Sequence, residues 1–248
     1  MKPADVARYL RQQREVSGAD LFLDSLSGKE VLRFVQEARD SARALKTPPG
    51  LHRGSPAVTD TAQPSSEYAA LRAEALQCTR CHLSRTRTQV VFSDGNPTAR
   101  LMVVGEAPGA REDETGMAFV GPAGKFLDLL LASVGLSRES TAYICNVLKC
   151  RPPGNRNPLP AEIEACTPFL KRQIALISPD ALLAVGAFAA QFLTGKEAAI
   201  GKLRGKVYSY EGVPLVVTYH PAALLRNASF TRPTWDDFQL LRQVMDGA

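Results

Sequence analysis

Apolar residues recur along this chain in two rhythms. Short unbroken runs at Gln89–Phe92, Leu101–Val104, Ala142–Asn146 and Asp180–Val185 have the length and composition of buried strands. Between them, apolar residues fall at helical spacing. A helix is predicted from about Pro122, with Phe126, Leu127, Leu130, Leu131 and Val134 on its inner face. Others are predicted over about 67–77, 161–177, 187–193 and 233–245. Val207–Tyr210 and Val213–Thr218 read as a hairpin or paired strands. Alternation of short apolar runs with helices predicts a three-layer α/β/α domain with a mostly parallel central sheet, over residues 67–248.

The first 66 residues read differently. Val6, Tyr9 and Leu10, then Val31, Leu32, Val35 and Ala38, mark helical segments with surfaces rich in Arg and Glu. Residues 46–66 hold four prolines and two glycines and read as a linker, with His52 solvated in it. This extension is expected either to dock an unknown protein or to be a partly disordered tail. No stretch approaches the roughly 18 apolar residues of a membrane span. The charged N-terminus lacks the apolar core of a secretory signal, so a cytoplasmic, nucleoid-associated monomer with no membrane partner is expected. A formal net charge of +5 and a pI near 9.0 suit a polyanionic partner.

Candidate chemistry gathers in residues 101–131. The strand ending at Val104 breaks at Gly105-Glu106-Ala107-Pro108-Gly109. A charged loop (Arg111, Glu112, Asp113, Glu114) is expected next, then Phe119 alone among small residues. The P-loop spacing fails, because Phe119 stands where its first glycine should be and Phe126 follows Lys125. A dinucleotide fingerprint fails as well. A glycine-rich loop after a strand lies at the carboxyl edge of a sheet, where open α/β sheets bind ligands. Asn146 and His220 end two other predicted strands, which points to one shared cleft.

Cys78, Cys81, Cys150 and Cys166 form a C-x2-C … C-x15-C set. Without an export signal, a disulfide framework is disfavoured and metal ligation favoured. Four thiolates fit tetrahedral zinc or an iron–sulfur cluster. The long second spacing favours [4Fe–4S], with zinc the alternative. Cys145 reads as core, and His82 as a bystander. Near the C-terminus, Pro221 fixes the turn after His220. Leu224 and Leu225 beside Arg226 read as an exposed apolar wedge with a cation, the means by which proteins prise open a duplex.

These motifs, GEAPG with F-V-G-x-A-G, N-x3-C-R-P-P-G-N-R, H-P-A-x-L-L-R-N and the four cysteines, occur in register. From about Glu67 onward the chain resembles the uracil-DNA glycosylase superfamily, in its iron–sulfur branch, family 4. The resemblance implies a DNA repair hydrolase that flips uracil out of single- or double-stranded DNA and cleaves its N-glycosidic bond, leaving an abasic site. It implies that Phe119 stacks on the extruded ring and that the Asn146 carboxamide reads N3–H and O4. It further implies that His220 donates to O2 of the departing base, an effect typically worth about 3–4 kcal/mol. The backbone amides of Glu106 and Ala107 would help hold the base. Leu224 would fill the gap in the stack, while Arg226, Arg151 and Arg156 would meet phosphates.

Where the best-known branch carries a water-positioning aspartate and a methyl-excluding aromatic, this chain has Ala107 and Gly109. Glu112 is the candidate for water positioning or thymine exclusion, with Asp113 and Glu106 behind it. Rival readings are a branch that traps uracil sites covalently, a non-catalytic iron–sulfur DNA-binding module, and a metal-free nucleoside hydrolase. The first is disfavoured by the lack of a histidine in RPPGNRNPLP.

Overall fold

A computed structural model describes residues 65–247. The expected helices, linker and docking element of the N-terminal extension, His52 included, lie outside the described residues except for its last two positions. The elements run α1 (Ser66–Leu76), β1 (Asp94–Gly95), β2 (Leu101–Gly105), α2 (Ala110–Thr115), α3 (Pro122–Ser133) and β3 (Ala142–Asn146). They continue with α4 (Pro160–Ile177), β4 (Ala181–Val185), α5 (Ala187–Thr194), α6 (Ile200–Leu203) and β5 (Val207–Tyr210). The last are β6 (Val213–Thr218), α7 (Pro221–Arg226) and α8 (Thr231–Asp246).

Six strands form one sheet in the order β1-β3-β2-β4-β6-β5. The four inner strands are parallel, and β1 and β5 add antiparallel edges. Helices cover both faces, as the apolar rhythm predicts. Strand side chains alternate between two cores with the period of two that a pleat imposes. Leu101, Val103, Ile144 and Leu183 face α3 and α8. Met102, Val104, Tyr143 and Leu182 face α4 and α5. Cys145 is buried in the second of these cores, as expected.

Chain direction makes the site. From β2 the chain passes through α3, packed on one face; from β4 it passes through α5, packed on the other. Adjacent strands whose connections leave to opposite faces open a crevice at their carboxyl ends, the topological switch point of such sheets.

Local readings differ from the structure at four places. Gln89–Phe92 is not a strand: Val90, Val91 and Phe92 are buried, but pairing starts only at Asp94–Gly95. The amides of Thr88 and Gln89 bond instead to the Asp113 carboxylate. Residues 111–114 are not a loop but lie within α2. Glu112 and Asp113 fall in its first turn, where a helix favours negative charge, and left-handed Gly116 ends it. Residues 221–226 form α7 rather than a bare turn, with Pro221 in the first turn where its missing N–H costs nothing. The short α6 has no strong apolar period, so the sequence pattern predicts no helix there. No helix among the described residues is long and apolar enough to cross a membrane.

Candidate functional site

The carboxyl ends of all four inner strands open on one cavity of about 470 Å³, within the roughly 300–1,000 Å³ common for ligand sites. After β2 it is lined by Glu106, Ala107, Pro108, Gly109, Glu112 and Phe119. Asn146, Pro152, Asn155 and Arg156 come from β3 and the loop beyond it. The turn from β4 into α5 gives Gly186, Ala187 and Phe188, and the stretch after β6 gives His220, Ala222 and Arg226. Three segments far apart in sequence thus bring Phe119, Asn146 and His220 together.

Phe119 is 6% exposed, and its ring stacks on the His220 imidazole with centroids 5.6 Å apart and planes 28° apart. Asn146 is only 2% exposed, yet its carboxamide makes no hydrogen bond among the described residues; its backbone carbonyl accepts from Lys149 Nζ at 2.6 Å. A buried polar group normally has a partner, so an unengaged carboxamide in a cavity wall is set for a ligand. Gly105 permits this convergence. A Cβ there would stand 2.4 Å from Asn146 Oδ1 and 2.6 Å from Phe119 Cζ.

The imidazole of His220 is oriented by α7. Its Nδ1 accepts the Ala222 amide at 3.1 Å, which leaves the proton of a neutral ring on Nε2, available to the cavity. Desolvation, and then the Arg226 charge, lower its pKa to about 4, against a smaller opposing pull from Glu112. The ring is therefore neutral at pH 7. Gly186, with φ of +95°, lies against it: a Cβ would come within 3.1 Å of His220 Cβ.

The acids divide. Glu112 Oε1 accepts the amides of Val120 and Gly121, each at 2.9 Å, tying α2 to the start of α3. Its other oxygen faces Gly109, whose Cβ would stand 2.8 Å from Oε2. Glu106 also lines the cavity, and burial raises its pKa. Asp113 does not: its Oδ1 is engaged by Thr88, away from the lining.

The expected wedge is only half exposed. Leu224 is 5% exposed and part of the core, whereas Leu225 is 44% exposed. The side of α7 that carries Leu224 packs on the core, and Leu225, about 100° further round the helix, turns to solvent. Arg226 is exposed at the cavity rim. Arg156, at the same rim, is committed: it pairs bidentately with Glu162, at 2.6 and 2.9 Å. Arg151 donates to Asn155 Oδ1 at 2.7 Å.

A second pocket is lined by Cys78, Cys81, Cys150 and Cys166, with Arg87 and Lys149. Arg87 Nη1 donates to Cys150 Sγ and the Lys149 amide to Cys166 Sγ, each at 3.2 Å. Burial pushes the Cys166 thiol up to about 11 and raises that of Cys150. The four do not close into the tight group that would seat a single ion among the described residues. His82 is not among the lining residues and faces Glu162 at 2.9 Å.

Gly186, Ala187 and Phe188 carried no sequence signal beyond a glycine after an apolar strand. Gly186 could have been found from that alone, since the other inner strands end at Gly105, at Asn146 and two residues before His220.

Comparison with known proteins bears on this geometry. The family model described as the uracil DNA glycosylase superfamily matches residues 92–239. The chain is 42% identical over 179 residues to the type-4 uracil-DNA glycosylase of Archaeoglobus fulgidus, covering 69% of this chain and 89% of that protein. It is 49% identical over 155 residues to the type-4 uracil-DNA glycosylase of Thermotoga maritima, with 62% and 80% covered. Against the type-4 uracil-DNA glycosylase of Sulfurisphaera tokodaii it is 40% identical over 183 residues, with 70% and 83% covered.

Proposed function

This chain belongs to the uracil-DNA glycosylase superfamily, and from that membership and its likeness to type-4 enzymes we propose that it excises uracil from DNA and leaves an abasic site for base excision repair. The observation that carries the reading is the buried, unengaged Asn146 carboxamide beside Phe119 and His220 in one cavity. Uracil turned out of the helix stacks on Phe119. The Asn146 Oδ1 accepts from N3–H and its amide donates to O4. Cytosine offers an acceptor at N3 and a donor at C4, so both bonds are lost and two buried groups left mispaired. Pockets built this way reject the wrong ligand by roughly 10⁴-fold or more.

Cleavage of the bond from N1 to C1′ leaves its electron pair on the base and a cation on the sugar. His220, neutral and with its proton on Nε2, donates to O2 as negative charge gathers there, so the base departs as an anion. A neutral donor does not have to lose a charge as the anion leaves, and its orientation is fixed by Ala222. Water then attacks C1′, and its proton passes to solvent or to a carboxylate. Glu112 Oε2 orients that water, since Oε1 is held by Val120 and Gly121. Such a cation requires little activation of the water, which fits the missing aspartate at Ala107. The exposed Leu225 fills the vacated stack, and Arg226 meets the flanking phosphate.

The thiol pocket fits a [4Fe–4S] cluster. Sulfur from the stretch after α1, from the loop after β3 and from α4 lines one cavity, and N–H groups already point at two of the four atoms. Cys78, Cys81, Cys150 and Cys166 would hold the cluster, which would brace the loop between Asn146 and α4 and take no part in bond cleavage. Equal iron and acid-labile sulfide in the purified protein supports this; zinc alone refutes it.

The reading is tested with an end-labelled, uracil-containing oligonucleotide treated with protein and then alkali. A break at the uracil supports excision. A denaturant-resistant protein–DNA species would point to covalent trapping instead, and binding without product to a non-catalytic module.

A further inference from the structure

Arg138 lies in the turn between α3 and β3, outside the recognised motifs and outside the lining of the cavity. It is nonetheless wired to the cavity's floor. Its Nη1 donates to the Ala118 carbonyl and its Nη2 to the Phe119 carbonyl, each at 2.8 Å. Two carboxylates hold the guanidinium from behind: Asp94 on Nη1 at 2.6 Å and Asp128 on Nε at 2.9 Å. The side chain is 15% exposed.

What this grip secures is an unfavourable backbone. Phe119 has φ of +54°, a left-handed conformation rare for an aromatic residue. Such residues persist only where their surroundings over-determine them. One wall of the clamp is Gly124, whose absent Cβ would lie 1.6 Å from the Phe119 carbonyl oxygen. The other is Arg138. A planar guanidinium can span two successive carbonyls and two carboxylates at once, which the compact ammonium of lysine cannot. The backbone twist sets the direction of the ring, and the ring lies under Gly105 and against His220.

We propose that Arg138 is a positioning residue for base recognition, holding the left-handed Phe119 backbone so that its ring presents a fixed face to the extruded base. This rests on the excision reading above and deepens it. Arg138 touches neither substrate nor His220; it acts through Phe119.

A double-mutant cycle on the full-length chain tests this. Single-turnover excision at saturating enzyme is measured for Arg138→Lys and Arg138→Gln, each with Phe119 intact and in the Phe119→Ala background. A 2-aminopurine beside the uracil reports base extrusion in parallel. With Phe119 intact, each change should slow excision by about tenfold to a hundredfold, the scale of a misplacement near 1 Å, and dim the 2-aminopurine signal. In the Phe119→Ala background the same changes should cost less than about threefold. Equal losses in both backgrounds would show a general structural role and overturn the proposal, as would wild-type rates with Phe119 intact. Should both Arg138 variants fail to fold, Asp94→Asn loosens the guanidinium without removing it. Its smaller loss must likewise vanish with Phe119→Ala. A wild-type protein that releases no uracil would defeat the excision reading and this proposal with it; a wild type that works with an additive cycle defeats this proposal alone.

Discussion

At the scale of single residues, two groups of the site are set by their surroundings before substrate arrives, the His220 imidazole by Ala222 and by burial and one Glu112 oxygen by Val120 and Gly121. His220 shows this best. Its pKa is lowered from 6.5 to about 4 chiefly by desolvation, so the neutral donor persists through mildly acidic solution. Excision under single-turnover conditions should therefore stay level from about pH 8 to 5.5 where His220 governs it, and fall as pH nears 4. A rate halved near pH 6.5 would mean an ordinary, solvated imidazole. The sign for stability follows from the same shift. Between pH 6.5 and about 4 the unfolded chain binds a proton that the folded one refuses. The contribution is thus full above 6.5 and is lost as pH falls through this window. His220→Gln should flatten that part of the stability–pH curve. Glu112 illustrates the opposite economy: one oxygen braces α3, so Glu112→Gln should preserve part of the fold contact while removing charge from the water site.

Among elements, the strand–turn–helix joints matter more than the elements themselves. Gly186, at φ of +95° and against His220, joins β4 to α5. Gly186→Ala should strain the backbone and push the imidazole, cutting the single-turnover rate by about 10²-fold while thermal stability falls by only about 1–3 kcal/mol. A variant with unchanged rate would show that β4's end does not set the histidine. On α7 the two leucines should separate cleanly. Leu224→Ala should cost roughly 2–5 kcal/mol of stability as a core truncation, whereas Leu225→Ala should leave stability nearly intact and weaken extrusion, read by 2-aminopurine fluorescence. The sequence exposes why this was not seen. Adjacent leucines beside an arginine give no phase, and a six-residue helix is too short to show one. By contrast Leu101–Gly105 and Ala142–Asn146 were legible almost to the residue, because runs buried on both sides admit little else, and the β5–β6 pair because two β-rich runs flank the Glu211-Gly212 turn. Gln89–Phe92 misled for the same reason: burial of Val90 to Phe92 is real, but burial is not ladder pairing. Arg138 had no signal at all, since the two backbone carbonyls and two carboxylates it joins lie 10 to 44 residues from it in sequence.

At the scale of the described domain, a sheet with a switch point supplies one crevice, and the cluster proposed for the thiol pocket would brace the loop that leaves it. Cys150→Ser should lower iron content and melting temperature together, with residual soluble protein still carrying an intact Asn146. The positive net charge and Arg226 at the rim imply salt-sensitive DNA binding. Arg226→Ala should weaken binding about equally for all sequences and reduce the log–log salt slope by about 1. Arg156→Ala should instead destabilise the loop, because it removes the bidentate partner of the buried Glu162 carboxylate and leaves it only His82 and the Leu159 amide. The most direct measurement of the central claim is the single-turnover excision rate of Asn146→Ala on a uracil oligonucleotide, with melting temperature and iron content recorded on the same sample. The account requires a loss of about 10³-fold or more with fold and iron unchanged; a variant that still removes uracil at the wild-type rate would contradict it.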